Sequence, residues 1–344
     1  MSSTSQVTTY SDLYTDLLNR VRQSTGITAT ETQAKRDINT ALHDIHVGTQ
    51  YIFPWTERRA FLTTHAPYST GTLSVTAGST TLTGASTAWN TTNTYGQANV
   101  RADGKLTIAG GTDVYRVGTV SGDTAATLST RYVASSDASA ASYLYYEDEY
   151  ALASDFLRPI DFAMFSIDWS LPLVDRKELR RNHTRANVSG RPRMASIVDL
   201  AFSGSTTPVR KVWLYPYPDT TYIIPYSYVT SNLAVTSAGV EQASLSSDTD
   251  EPIMPLRYRH VIVLHALMNW YRDKRDDARS QEVKAEYVEL MNRITDDHDM
   301  GTHNRVRLAP RVGSYAGSAQ RPYRHRGGPR YAINNAFDTF QDQR

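Results

Sequence analysis

A change of composition between two helical stretches constrains this chain more than any other feature. Of the eighty residues from Tyr68 to Glu147, sixteen are Thr, ten Ser, twelve Ala and nine Gly. Short alternating runs recur within them: Thr72-Leu-Ser-Val75, Thr80-Thr-Leu-Thr83, Lys105-Leu-Thr-Ile108, Val114-Tyr-Arg-Val117 and Thr127-Leu-Ser-Thr130, separated by Gly, Asp and Ser turns. A period of two turns one apolar face inward, and β-branched residues suit a pleated surface. We read a small all-β domain, sandwich or barrel, in preference to a disordered linker. The flanks, Arg58 to Thr64 and Tyr150 to Phe156, belong to a surrounding domain, so the β-domain is an insertion.

The surrounding sequence has helical periods. Leu13, Leu17, Leu18 and Val21 mark a first helix, with Thr9 or Ser11 as N-cap and Gly26 past its end. Thr30-Glu-Thr-Gln33 is a capping-box pattern for a second, which carries Ala34, Ile38, Ala41, Leu42 and Ile45 on one stripe as far as Gly48. Beyond the insertion, Arg176-Lys-Glu-Leu-Arg-Arg181 reads as a solvated turn or helix end. Val209 to Val229 predicts a β-hairpin, with Val212, Leu214, Tyr222, Ile224, Tyr226 and Tyr228 in strand-like runs about the Pro216-Tyr-Pro218-Asp219 turn. Pro252 and Pro255 lead into a helix from Leu256 to about Ala278. After a break at Asp276-Asp277, Val283, Tyr287, Leu290, Met291 and Ile294 mark another.

The expected fold class is therefore α+β: an antiparallel helical bundle of two N-terminal and two C-terminal helices, a β-hairpin, the inserted β-domain and an extended C-terminal arm. The expected domains are 1–67, the N-terminal helical pair and first core strand; 68–147, the insertion; 148–301, the rest of the core; and 302–344, the arm.

With no cysteine, disulfides, Cys-ligated zinc, iron–sulfur clusters and thiol nucleophiles are excluded, and folding in a reducing cytoplasm is expected. Met1 to Thr9 has neither a basic residue nor an apolar core, and no eighteen apolar residues run together, so neither a secretory signal nor a membrane span is expected. The GxGxxG, GxxxxGK[ST], GxSxG and HExxH patterns are absent. Asp296-Asp-His-Asp299 offers carboxylates and an imidazole to a metal, but consecutive helical residues point apart, and a polar helix C-terminus is preferred. His43 and His46 lack a third ligand. Glu147, Asp148 and Glu149 could supply a glycosidase dyad, but neighbours on a strand alternate faces, and a charged domain junction is preferred. No catalytic residue, metal or cofactor is assigned, and no enzyme activity is expected.

The segment from Thr302 to Arg344 has eight Arg, no Lys and two Asp, with aromatics interleaved among Pro and Gly. It cannot build a core of its own and should be extended or disordered alone. Arg with spaced Tyr and Phe suits docking in a protein groove, single-stranded nucleic acid, or an inert tail; docking is preferred. The candidate partner-binding residues are Arg305, Arg307, Arg311, Tyr315, Arg321, Tyr323, Arg324, Arg326, Arg330, Tyr331, Phe337 and Phe340. The net charge of +1 hides this asymmetry: residues 1–301 hold 28 basic and 33 acidic groups, the tail 8 and 2.

Together, the early helical pair with its Tyr51-Ile-Phe-Pro-Trp-Thr56 exit, the Trp213-Leu-Tyr-Pro-Tyr-Pro218 turn, the late helices from Leu256 to Ile294 and the arm resemble the head-to-tail adaptor (connector) proteins of tailed bacteriophages. The Gly71-Thr-Leu-Ser-Val-Thr-Ala-Gly-Ser-Thr-Thr-Leu-Thr-Gly84 and Asp113-Val-Tyr-Arg-Val117 stretches resemble virion modules. The resemblance implies a non-enzymatic ring of commonly twelve copies in the virion neck, assembled in the host cytoplasm. The helical pairs would pack around the ring, the arm would bind the portal protein, and the lower face and β-domain would meet tail hub, nozzle or fibre proteins. Double-stranded DNA would pass through the lumen without sequence-specific binding, and no membrane is involved. A fibre-type binding module centred on residues 68–147 and a peptidoglycan hydrolase are the alternatives.

Overall fold

A computed structural model of the chain describes residues 7–24, 26–48, 51–162, 171–182, 188–201 and 209–308. The chain divides into two compact units, Met1–Lys284 and Ala285–Arg344. Among the described residues the architecture is mixed α and β, with five α-helices and a curled antiparallel sheet. None of these helices is long and apolar enough to cross a membrane.

Helix α1 (Tyr10–Arg20) starts at Thr9, whose hydroxyl accepts from the Asp12 N–H while the Asp12 carboxylate accepts from the Thr9 N–H. This reciprocal cap satisfies two otherwise orphaned donors. Leu13, Leu17 and Leu18 are completely buried on one stripe. Helix α2 (Thr28–Val47) begins two residues before the expected Thr30, with Ile27 at the N-cap and no side-chain cap. The anticipated capping box does not operate, because Thr30 to Gln33 lie within the helix and the Thr32 hydroxyl donates to the Thr28 carbonyl at 2.7 Å. The expected stripe, Ala34, Ile38, Ala41, Leu42 and Ile45, is buried.

Between the helices and the insertion runs β1 (Glu57–Thr63). The insertion holds seven strands: β2 (Thr72–Val75), β3 (Thr81–Ala85), β4 (Lys105–Ile108), β5 (Tyr115–Val120), β6 (Ala125–Leu128), β7 (Ala138–Ala141) and β8 (Tyr143–Tyr146). Their order is β7-β2-β3-β6-β5-β4-β8. The two ends of this sheet, β7 and β8, are separated in sequence by Ser142 alone. One interrupted strand thus bonds β2 with its first half and β4 with its second, and the sheet curls round on itself. Closure removes exposed edges. Leu73, Val75, Leu82, Leu106, Val117, Leu128 and Tyr145 fill the interior, and Trp89 joins them with its indole N–H donating to Tyr143 Oη at 2.9 Å. The alternation in the sequence is this inward set, for Thr81 and Thr83 flank Leu82 on the exposed side.

Next come β9 (Glu149–Ala151), β10 (Phe156–Phe162), α3 (Arg176–Asn182), β11 (Met194–Ala201), β12 (Val209–Tyr215) and β13 (Ile223–Thr230). They form two three-stranded sheets, β1-β13-β10 and β11-β12-β9, which share one core containing Leu62, Phe156, Val212, Leu214, Ile224 and Tyr226. The expected hairpin of Val209 to Val229 is not formed: β12 and β13 both exist, but in different sheets. Both edges of β12 are taken by β11 and β9, and both edges of β13 by β1 and β10, so neither has a free edge for the other.

Three two-residue strands, β14 (Ala234–Val235), β15 (Glu241–Gln242) and β16 (Glu251–Pro252), precede α4 (His260–Asp273). Val261, Ile262, Val263, Leu264 and Ala266 are all buried, which requires cover on more than one side; α4 packs on both α1 and α2. The break falls at 274–276, where Arg275 adopts φ +59°. Helix α5 (Asp277–Leu308) then begins, with Ser280 Oγ donating to the Met268 carbonyl at 3.2 Å. It extends past Gly301, so Thr302 to Leu308 are helical rather than extended as expected. A glycine costs a helix only about 1 kcal/mol relative to alanine. The first residue after Asp277 that cannot continue a helix is Pro310.

Candidate functional site: a charged mount between the barrel and the core

The chain leaves the barrel through Glu147 and Asp148, between β8 and β9, and Glu149, the first residue of β9. Each carboxylate meets a cation. Glu147 accepts from Arg101 Nε at 2.9 Å and from a second guanidinium nitrogen of Arg101, and also from Tyr145 Oη at 2.5 Å. Asp148 accepts from Lys105 Nζ at 2.5 Å and from the indole N–H of Trp213 at 3.0 Å. Glu149 pairs with Arg116 at 3.0 Å. Lys211 of β12 reaches back to Asp103 of the barrel at 3.0 Å. The barrel therefore supplies Arg101, Lys105, Arg116 and Asp103, and the core supplies Lys211 and Trp213.

Aromatic packing fixes the same junction. Tyr146 stacks on Tyr217 with centroids 4.2 Å apart. Tyr150 Oη donates to the Glu147 carbonyl and accepts from the His65 N–H. Gly104 lies against the Tyr145 ring so closely that a Cβ would fall 2.2 Å from Tyr145 Oη. A cleft of about 450 Å3 opens beside this cluster, with Phe61, Arg101, Glu147, Asp148, Glu149 and Lys211 in its lining.

Buried carboxylates that keep their cations orient two bodies, whereas acid–base catalysis requires one that can exchange its proton with a substrate. Burial raises the Asp148 pKa, and Lys105 opposes that rise. With Trp213 as a further donor, the Asp148 carboxylate is held by partners from both sides of the junction. The Glu147 carboxylate is likewise occupied by Arg101 and Tyr145. The triplet thus lies at a charged junction between barrel and core, and all three of its residues border the cleft.

The other sequence candidates fall elsewhere. His46 is buried, its Nδ1–H donates to the Leu42 carbonyl at 2.8 Å, and its Nε2 accepts from the Trp55 indole at 2.9 Å. Burial lowers its pKa to about 4, so the ring is neutral and ties α2 to the turn at Pro54–Thr56. His43 is exposed beside Asp44 and does not share a ligand site with His46. Asp296, Asp297 and His298 lie along α5 rather than at its C-terminus. Among the described residues no three His, Cys, Asp or Glu side chains cluster as a metal site would require. Of the arm residues, Arg305 and Arg307 are on the last turn of α5. Arg311, Tyr315, Arg321, Tyr323, Arg324, Arg326, Arg330, Tyr331, Phe337 and Phe340 lie outside the described residues. No protein-family model and no curated protein matches this chain.

Proposed function

We propose that this chain is a structural subunit of a tailed-phage neck, an adaptor ring that joins the portal to the tail and encloses part of the DNA ejection channel. The observation that carries this reading is the mount: an inserted barrel held on the core by the Asp148–Lys105, Glu149–Arg116 and Lys211–Asp103 ion pairs, two stacked tyrosines and the Tyr150 hydroxyl. A subunit that transmits a fixed geometry from one partner to another needs a rigid junction of this kind. In the ring, the helices from both ends of the chain pack side by side between copies, the barrel projects toward tail components, and the Arg- and Tyr-rich arm reaches the portal. Repetition around a closed ring multiplies modest contacts.

Electron microscopy of the purified full-length protein tests this reading. Closed rings with a central channel are expected, and a protein that stays monomeric at every concentration refutes it. The arm is tested by truncation after Leu308, which keeps α5 intact: the truncated protein should fold but fail to bind the portal. A second reading, a glycan-binding barrel, draws on a groove of about 330 Å3 whose lining includes Ser74, Thr76, Thr81, Thr83 and Asp137. Glycan-array binding by the full chain would favour it.

A further inference from the structure

A ring closed by rotation joins one surface of each copy to a different surface of the next. Two surfaces of opposite charge are available among the described residues. The first is a groove of about 660 Å3 beside α3, with Leu173 and Ile197 among its apolar lining and Arg176, Lys177 and Arg180 among its basic lining. Leu173 is 38% exposed. Lys177 and Arg180 are exposed and form no ion pair among the described residues, whereas Lys35, Arg58, Arg101, Lys105, Lys211 and Arg259 each hold a carboxylate. From Asp175 to Arg193 the sequence has seven basic residues and two acidic ones.

The second surface is on α5. Glu282, Glu286 and Glu289 stand at i, i+4 and i+7, so they form one stripe, and all three are exposed. Glu289 pairs with Arg293, while Glu282 and Glu286 form no ion pair among the described residues. Ala285 and Val288 are exposed next to the stripe, Val288 by 44%. From Asp277 to Asp299 there are seven acidic residues and three basic ones.

We propose that the groove beside α3 of one copy receives the acidic face of α5 of the next copy, and that this is the head-to-tail contact of the ring. The inference rests on the ring reading above and names its interface. An amphipathic helix in a groove with an apolar floor and a charged rim is a recurrent recognition mode. Val288 and Ala285 supply the apolar contact for Leu173 and Ile197, and Glu282 and Glu286 meet Lys177 and Arg180. A phosphate backbone would engage the basic rim but leave Leu173 and Ile197 in water, so the acidic helix is the better match.

The test uses charge reversal in the full chain. One variant carries Lys177→Glu with Arg180→Glu, the other Glu282→Lys with Glu286→Lys, and sedimentation velocity reads self-association at about 0.05 M and about 0.5 M salt. Circular dichroism checks folding, and the neutral pair Lys177→Gln with Arg180→Gln replaces the first variant if it does not fold. Each reversal should weaken assembly at least about tenfold at low salt, consistent with interfacial charge pairs. Mixing the two reversed proteins should restore assembly, because every junction in an alternating ring then pairs opposite charges. Wild-type assembly that both reversals leave unchanged overturns this interface and leaves the ring standing. Loss of assembly without rescue on mixing also overturns it, as does loss only of duplex-oligonucleotide binding in the first variant. A wild-type protein that never assembles overturns the ring and this contact together.

Discussion

Asp37 sits within the helical core as a carboxylate that forms no ion pair among the described residues, and replacing it with asparagine should stabilise the protein at neutral pH. The side chain is 6% exposed on α2; Gln33 donates to its Oδ1 at 2.9 Å, and Oδ2 has no hydrogen-bond partner among the described residues. Burial, reinforced by the negative charge of Asp273 on α4, raises its pKa from 3.8 to about 6. A carboxyl group whose folded pKa is raised binds its proton more tightly when folded. Its contribution is therefore most favourable at low pH and is lost as pH rises from about 4 through about 6. At about 1.4 kcal/mol per pKa unit, this difference corresponds to about 3 kcal/mol at neutral pH. Asp37→Asn keeps the acceptor for Gln33 and removes the charge. Urea unfolding of variant and wild type at about pH 7.5 and about pH 4 isolates the effect, with an expected advantage of about 3 kcal/mol at the first and under about 1 kcal/mol at the second. His46, whose lowered pKa makes stability fall as pH drops from 6.5 through about 4, acts in both proteins and cancels in the difference. A variant no more stable than wild type at pH 7.5, or an advantage that persists undiminished at pH 4, would refute the reasoning.

Three further outcomes follow from the packing. Gly104→Ala drives a Cβ into Tyr145, which is fully buried, and should cost about 1 to 3 kcal/mol in thermal or urea unfolding, whereas Gly122→Ala, with open space around it, should be close to neutral. Lys105→Met strips the cation from buried Asp148 and should cost about 3 to 5 kcal/mol. Adding Asp148→Asn, which keeps an acceptor for Trp213, should recover most of that loss, and equal stability of the single and double variants would show that the charge is not what matters. His46→Leu leaves the Trp55 indole N–H without its acceptor and should cost about 1 to 3 kcal/mol, together with a change in tryptophan fluorescence.

The parts of the fold that were legible in the sequence are those set by local periodicity. The burial of Leu13, Leu17 and Leu18, and of Ile38, Leu42 and Ile45, follows from a 3.6-residue repeat, and that of Leu73 and Val75 from a repeat of two. What escaped is non-local. Nothing between Val209 and Val229 announces that β12 and β13 part company, because strand pairing is decided by which edges other segments occupy, and β1 precedes β13 by more than 150 residues. Composition puts the end of α5 near Thr302, short of its actual extent, because the first helix-incompatible residue is Pro310. The interrupted strand β7–β8 was likewise unmarked, since Ser142 is one of ten Ser in the insertion and nothing in the sequence sets it apart.

The mount shows the same division at the level of chemistry. Three consecutive acids could be read as a junction from the sequence, but not their partners, which lie 46, 43 and 33 residues away at Arg101, Lys105 and Arg116, and 65 away at Trp213. Charge pairs of this kind have no periodicity; only folding brings them together. Their placement also carries an argument about specificity. An apolar junction between barrel and core could be as stable or more so, since buried ion pairs often contribute little net stability over a hydrophobic replacement. It could also slide, because apolar contact is non-directional. Here Asp148 must face both Lys105 of the barrel and Trp213 of the core, so a rotation of the barrel that breaks the ion pair leaves a buried charge alone, at a cost of several kcal/mol. The acidic triplet therefore acts as an orientation lock, and restoring stability with an uncharged Lys105→Met, Asp148→Asn pair should leave a barrel that is held on but less firmly aimed.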